Sequence, residues 1–205
     1  MSETTVDNNI TPTSVNSSAK HSENRLPGDI AMWFFILAEL SVFAIFFIGF
    51  AVAEQLNPEM FSQGKAQLHP TAGLINTIAL ITSSFIVALA LQIMHKGQGR
   101  NAAKALIIAQ LVAVVYLVVK LWEYQFLFDA DIDIETNTFF TLYFLITFFH
   151  FMHVLLGMVI LTFIAIKSAK GQYQQNDMSG FESGACYWHM VDLLWIILFP
   201  LIYVI

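Results

Sequence analysis

Residues 138–166 read TFFTLYFLITFFHFMHVLLGMVILTFIAI and contain no Asp, Glu, Lys or Arg. A transmembrane helix needs about 20 predominantly apolar residues, because the hydrocarbon core of a bilayer is about 30 Å thick. This stretch is longer than that minimum, and its polar side chains are limited to threonine, tyrosine and histidine. It therefore predicts a helix that crosses a membrane.

Four other stretches of the chain have the same character. A typical soluble domain is about 25% charged, whereas this chain of 205 residues is 12% charged and 57% hydrophobic. A soluble domain of this length cannot bury so much apolar side chain, and a net charge of -6 offers no basic surface for nucleic acid. We therefore predict an all-α, polytopic membrane protein. Its domain, residues 26–205, is a five-transmembrane-helix bundle with spans at roughly 30–53, 71–94, 103–122, 138–166 and 184–204.

The polar N-terminal segment and the charges in the connections between spans predict how the chain is oriented in the membrane. Residues 1–25 are rich in Ser, Thr and Asn and lack an apolar core, so they are expected to be a disordered leader and not a signal peptide. Positive charges concentrate on the cytoplasmic side of membrane proteins, which predicts an N-terminus inside and a C-terminus outside. Trp122, Tyr124 and Tyr203 are expected in an aromatic belt on the outer side. The inner side holds Lys20, Arg25, Lys96, Arg100, Lys104, Lys167 and Lys170, and the outer side holds Lys65 and Lys120.

A few ionisable side chains fall inside the predicted spans, where they are costly and mark candidate sites. Glu39 lies in span one, His150 and His153 in span four, and His189 and Asp192 in span five. At about 1.5 Å of rise per residue, all five reach a similar depth, so they can meet in one layer of a bundle. Small residues near them allow helices to approach closely.

These side chains have several interpretations. The histidines and Asp192 are typical of interhelical hydrogen bonding, and Glu39 is expected to be neutral or paired with a histidine, as in a proton relay or a bond to a partner subunit. No bound metal is expected, because a di-iron site needs several Glu-x-x-His units and Cys186 stands alone. Two alternatives remain: a haem-carrying membrane cytochrome using His153 and His189, and a proton-coupled transporter using Glu39 and Asp192. The transporter is disfavoured because the sequence shows no internal repeat.

Three motifs resemble those of subunit III of the haem–copper respiratory oxidases, the cytochrome c oxidase subunit III family. Residues 32–39, MWFFILAE, are similar to the family's aromatic span with a buried carboxyl. Residues 149–157, FHFMHVLLG, resemble its F-H-x-x-H-V-x-x-G motif, although Phe151 stands where the family often has Gly. Residues 187–195, YWHMVDLLW, resemble its Y-W-H-F-V-D-x-x-W signature. The length resembles the short five-helix form, and the opening RLPGD at residues 25–29 resembles the E-type proteins associated with nitric oxide reductase.

The resemblance implies an accessory subunit that performs no catalysis and holds no haem or copper. Its partners would be the catalytic subunit I and subunit II of a cytochrome c or quinol oxidase, or nitric oxide reductase subunits, in a bacterial inner membrane. By the resemblance, the oxidase complex would reduce oxygen to water and pump protons, and subunit III would protect subunit I and bind phospholipid. Glu39 would be the buried carboxyl at the subunit I interface. The residues that lock spans four and five and flank lipid would be His150, His153, Gly157, Glu182, Trp188, His189, Asp192 and Trp195.

Overall fold

A computed structural model describes residues 30–173 and 178–204, and all the regular structure within them is helical. Five of the six helices are long and apolar enough to cross a membrane, so the predicted all-α bundle of five spans is confirmed. The predicted leader lies outside the described residues, and the inside–outside orientation stays a prediction. The helices are α1 (Ile30–Leu56), α2 (Pro58–Ala66), α3 (Pro70–His95), α4 (Gly99–Asp129), α5 (Thr138–Ala169) and α6 (Ser179–Tyr203).

Helix α2 lies within residues 54–70, which the predicted spans leave as a connection between the first span and the second. Both prolines of that segment, Pro58 and Pro70, instead start helices. This position suits proline because the first helical N–H has no partner within the helix. Phe61 of α2 is buried against Phe50 and Phe139, with ring centroids 5.1 and 5.3 Å away. The short helix is therefore packed onto the ends of α1 and α5.

Helix α4 extends seven residues beyond the predicted end of its span at residue 122. The predicted spans leave residues 123–137 as a connection, but the first seven of these residues continue helix α4 as far as Asp129. Glu123, Tyr124 and Leu127 are buried on one face of α4, and this burial favours continuation of the helix. The remaining connection ends at Asn137, whose side chain accepts a hydrogen bond from the backbone N–H of Phe140 at 3.0 Å and caps α5.

Helices α3 to α6 form a four-helix core in which neighbours along the chain run antiparallel. The α3–α4 contact is the most extensive, and it includes a 2.8 Å hydrogen bond from the Ser83 hydroxyl to the Ala109 carbonyl. Helix α1 packs more loosely against α5 and α6. Its buried residues are Ile36, Phe43 and Phe50, which are spaced by seven residues and so share one face. The rest of α1 is largely exposed apolar surface, as is typical of a helix long and apolar enough to cross a membrane.

Candidate functional site

Glu39 and His153 form an ion-pairing contact between α1 and α5. His153 Nε2 lies 3.0 Å from Glu39 Oε2, and His153 Nδ1 lies 2.7 Å from the Phe149 carbonyl oxygen. A carbonyl oxygen only accepts hydrogen bonds, so Nδ1 carries a proton. The Nε2–Oε2 contact therefore needs one further proton, held either by the carboxyl or by the imidazole. The pair has no net charge in both forms, which lowers its cost inside a membrane.

Aromatic rings hold the His153 imidazole in this position. The centroids of Phe43 and Phe149 lie 5.3 and 4.6 Å from that of His153, and both rings meet it edge to face. The His153 side chain is only 9% exposed, whereas the Glu39 side chain is 20% exposed. Glu39 is thus tethered at one oxygen by His153 and remains partly accessible from outside the bundle.

His150, one turn earlier on α5, lies in different surroundings. Its ring is fully buried, with centroids 5.7 Å from Tyr116 of α4 and 5.2 Å from Trp195 of α6. Neither of its ring nitrogens hydrogen-bonds to any residue that the structure describes. His150 and His153 therefore do not act as one ligand pair: His153 faces α1, and His150 lies among α4, α5 and α6.

The polar residues of α6 bond mainly to α3. The Ser84 hydroxyl lies 2.6 Å from His189 Nδ1, and the indole N–H of Trp195 donates to the Thr77 hydroxyl at 3.0 Å. Asp192 is buried within reach of the same Ser84 hydroxyl, but its Oδ1 has no partner among the described residues. Polar side chains of α3 therefore bond across to α6.

Gly157 and Trp188 allow α5 and α6 to approach closely. A Cβ atom added at Gly157 would lie 2.8 Å from Cε3 of Trp188, too close for any larger residue without movement. Glu182, in the first turn of α6, has Oε1 4.0 Å from Nε2 of His95 at the end of α3. These residues join helices at the α5–α6 and α3–α6 contacts.

The five ionisable side chains predicted to share one layer do not form one cluster. Glu39 and His153 pair at the α1–α5 contact, His150 lies among α4 to α6, and His189 and Asp192 face α3. Residue number predicts how far along its helix each side chain lies, but not which neighbouring helix the side chain faces. The second property separates these five residues into three groups. Within residues 30–173 and 178–204, no group of three or more His, Cys, Asp or Glu side chains is placed to hold a metal ion.

A charged cluster around Lys120 was missed by the sequence prediction, which counted Lys120 among the outer charges. The lysine is fully buried, and its Nζ donates to Glu123 Oε2 at 2.9 Å and to the hydroxyls of Tyr143 and Tyr203 at 3.0 Å each. Tyr203 in turn donates to Glu123 Oε2 at 2.7 Å. Tyr203 and Tyr124 are thus buried in this cluster and do not form the predicted aromatic belt, whereas Trp122 is exposed. The available signal was the i, i+3 spacing of Lys120 and Glu123 within an apolar run.

A groove of about 560 Å³ lies between α1, α5 and α6. Its walls are mostly apolar, and Lys167 lies at the end where α5 finishes. The Lys167 ammonium also lies 4.7 Å from the centroid of the Phe163 ring. Other lining residues include Met32, Phe35, Leu156 and Tyr187. The groove combines a long apolar surface with one cation.

Comparison with known proteins shows which family this chain matches. Residues 15–205 match the family model of cytochrome c oxidase subunit III. A cytochrome c oxidase subunit 3 from Synechocystis is 29% identical over 203 residues, covering 95% of this chain and 82% of that protein. One from Thermostichus vulcanus is 27% identical over 202 residues, covering 98% of this chain and 97% of that protein.

The name of a third relative combines two oxidase subunits. The heme-copper oxidase subunit I+III of Aeropyrum pernix is 28% identical over 181 residues, which cover 85% of this chain and 22% of that longer protein. The family model of cytochrome c oxidase subunit III extends from residue 15 to residue 205 and so includes all six helices. The chain therefore belongs to the cytochrome c oxidase subunit III family.

Proposed function

We propose that this chain is an accessory, non-catalytic subunit that packs against the catalytic subunit I of a respiratory haem–copper oxidase in a bacterial inner membrane. The observation that carries the proposal is the family match over residues 15–205. The relative named heme-copper oxidase subunit I+III supports subunit I as the partner. Haem and copper would be held by the partner subunits. The complex would reduce oxygen with electrons from cytochrome c or quinol and translocate protons.

The proposed contact with subunit I includes the face of α1 that carries Glu39. This carboxyl is partly exposed on a helix whose exposed side chains near it are mostly apolar, such as Leu37 and Val42. A partly exposed carboxyl facing hydrocarbon is costly, so cover by another protein is favoured. The pair with His153 fixes the direction of the carboxyl and leaves one oxygen, Oε1, available to a partner group.

The proposed lipid site is the groove between α1, α5 and α6. A phospholipid has apolar acyl chains and an anionic phosphate, and the groove offers apolar walls and the Lys167 ammonium at one end. Cations near the ends of membrane helices attract anionic lipid head groups. Met32, Phe35 and Leu156 would contact the acyl chains, and Lys167 would bind the phosphate.

Affinity purification of the full chain from its native membrane in mild detergent tests the subunit assignment. We expect a haem–copper catalytic subunit in the eluate, identified by its visible spectrum and by mass spectrometry. Recovery of nitric oxide reductase subunits would support the E-type alternative and contradict the oxidase assignment. A colourless chain recovered alone would contradict both.

Two variants of α1 test the role of Glu39. Glu39→Gln removes the acid and should reduce the recovery of subunit I if this carboxyl lies at the interface. Ser41→Ala is a matched control, because Ser41 is exposed on the same helix and its hydroxyl donates to the Leu37 carbonyl of its own helix. Equal recovery of subunit I with both variants would refute the proposed interface role while leaving the family assignment intact.

A further inference from the structure

The middle of the four-helix core contains buried polar atoms that have no hydrogen-bond partner among residues 30–173 and 178–204. They are both amide atoms of Asn76, the hydroxyl of Tyr116 and both ring nitrogens of His150, and none of them bonds to another described residue. All three side chains are fully buried. More than 90% of buried polar groups in proteins have a partner, so five such atoms in three residues require an explanation.

The helix register shows that these three residues lie at one level of the bundle. A hydrogen bond from Ser83 to Ala109 joins α3 to α4. Asn76 precedes Ser83 by seven residues and Tyr116 follows Ala109 by seven, about two turns each. Because α3 and α4 are antiparallel, both residues lie on the same side of that bond and at the same level. The Tyr116 ring packs against His150 on α5, with centroids 5.7 Å apart. Trp195 is the residue of α6 at this level. Its ring contacts both others, with centroids 5.0 Å from Tyr116 and 5.2 Å from His150.

The chemistry of this level fits a small neutral ligand that both donates and accepts hydrogen bonds. Asn76 and a neutral His150 each offer donors and acceptors, and Tyr116 adds a hydroxyl. A metal ion does not fit, because no group of three ligating side chains occurs in the described ranges. A cation is further disfavoured by Lys120, one turn along α4, whose Nζ lies 5.6 Å from the Trp195 ring. Water is the small molecule that matches these requirements.

We infer that this level of the bundle is an internal hydration site, with ordered water held by Asn76, Tyr116 and His150. The site lies between two other polar groups of the core. The Lys120–Glu123 cluster lies toward the end where α4 finishes, and the Ser84–His189–Asp192 group lies in the opposite direction. Water here adds a third polar group to the interior of α3 to α6, and this group is separate from the Glu39–His153 pair. The inference does not depend on which complex the chain joins.

A high-resolution cryo-electron microscopy map of the chain in its native complex tests the site. We expect at least one water peak within hydrogen-bonding distance of a His150 ring nitrogen and of the Tyr116 hydroxyl or the Asn76 amide. A map without such a peak would overturn the inference, as would one in which these side chains bond directly to each other or the His150 nitrogens face only aromatic rings.

Two tyrosine variants sharpen the test. Tyr116→Phe keeps the ring and removes one proposed water ligand, so the peak should weaken or vanish while His150 stays in place. Tyr187→Phe is the matched control, because Tyr187 is equally buried but its hydroxyl bonds to the His153 carbonyl at 3.4 Å. Loss of the peak in both variants, or in neither, would contradict the assignment of Tyr116 as a ligand. If Tyr116→Phe fails to assemble, the wild-type map alone decides.

Discussion

Replacing one partner of the buried Lys120–Glu123 pair is expected to destabilise the chain strongly. Lys120 is 0% and Glu123 1% exposed, and the pair is only 2.9 Å apart. Lys120→Met leaves the carboxyl of Glu123 without its cation, and breaking a buried ion pair in this way costs about 3–5 kcal/mol of unfolding free energy. The two tyrosine hydroxyls that accept from Lys120 Nζ lose that donor as well.

The double variant Lys120→Met/Glu123→Gln distinguishes the cost of an unpaired charge from a general loss of packing. Removing both charges together is often neutral, because the desolvation penalty disappears with the attraction. We therefore expect the double variant to recover at least half of the stability that Lys120→Met loses. Lys104→Met is the matched control, since Lys104 is exposed on the same helix and such substitutions usually change stability by less than about 0.5 kcal/mol.

Reversible unfolding in mixed detergent micelles, followed by circular dichroism, measures these free energies. If Lys120→Met unfolds at the same denaturant concentration as the wild type, the pair does not stabilise the core. If the double variant is less stable than Lys120→Met, the loss comes from packing and hydrogen bonds and not from an unpaired charge. Either result would refute the reasoning from burial and pairing.

Three further changes follow from close contacts in the helix bundle. Gly157→Ala should cost about 1–3 kcal/mol of unfolding free energy by overpacking against Trp188. Gly49→Ala is the control and should leave the unfolding free energy nearly unchanged, because the added Cβ meets open space. Equal losses in both variants would contradict a close approach of α5 and α6. Trp195→Phe removes the donor to Thr77 and should cost about 1 kcal/mol, and combining it with Thr77→Val in a double-mutant cycle should show less than additive loss. Phe61→Ala should release α2 from Phe50 and Phe139, which hydrogen exchange across residues 58–66 would detect as faster exchange than in the wild type.

The five spans were predictable because bilayer thickness imposes a minimum length on any apolar helix. That signal needs no knowledge of packing, and each predicted span overlaps one observed helix. Helix α2 was not predictable in the same way, because it has only nine residues and a mixed composition. Its starting proline is compatible with both a turn and a first helical position, and the burial of Phe61 decides between them.

The sequence predicted how far along its helix each candidate side chain lies, but not which neighbouring helix that side chain faces. His150 and His153 differ by three residues, which turns their side chains about 60° apart around α5. That difference places His153 against Glu39 of α1 and His150 against Tyr116 of α4. The Lys120 cluster depends on Tyr143 and Tyr203, which are 23 and 83 residues away along the chain. The i, i+3 spacing of Lys120 and Glu123 could have indicated their pairing, but no local pattern indicates the contacts with the two tyrosines.

The Lys120 cluster and the Glu39–His153 pair differ in how completely the chain itself satisfies their hydrogen bonds. In the α3–α6 core, Lys120 has all three of its donors engaged by Glu123, Tyr143 and Tyr203. On α1, by contrast, Glu39 is held by one bond to His153 and is partly exposed, and only Ile36, Phe43 and Phe50 anchor the helix through burial. Loss of a binding partner should therefore loosen α1 before it affects the core. Hydrogen exchange of the isolated chain should accordingly be faster in α1 than in α5, and assembly with the partner subunit should slow exchange in α1 most.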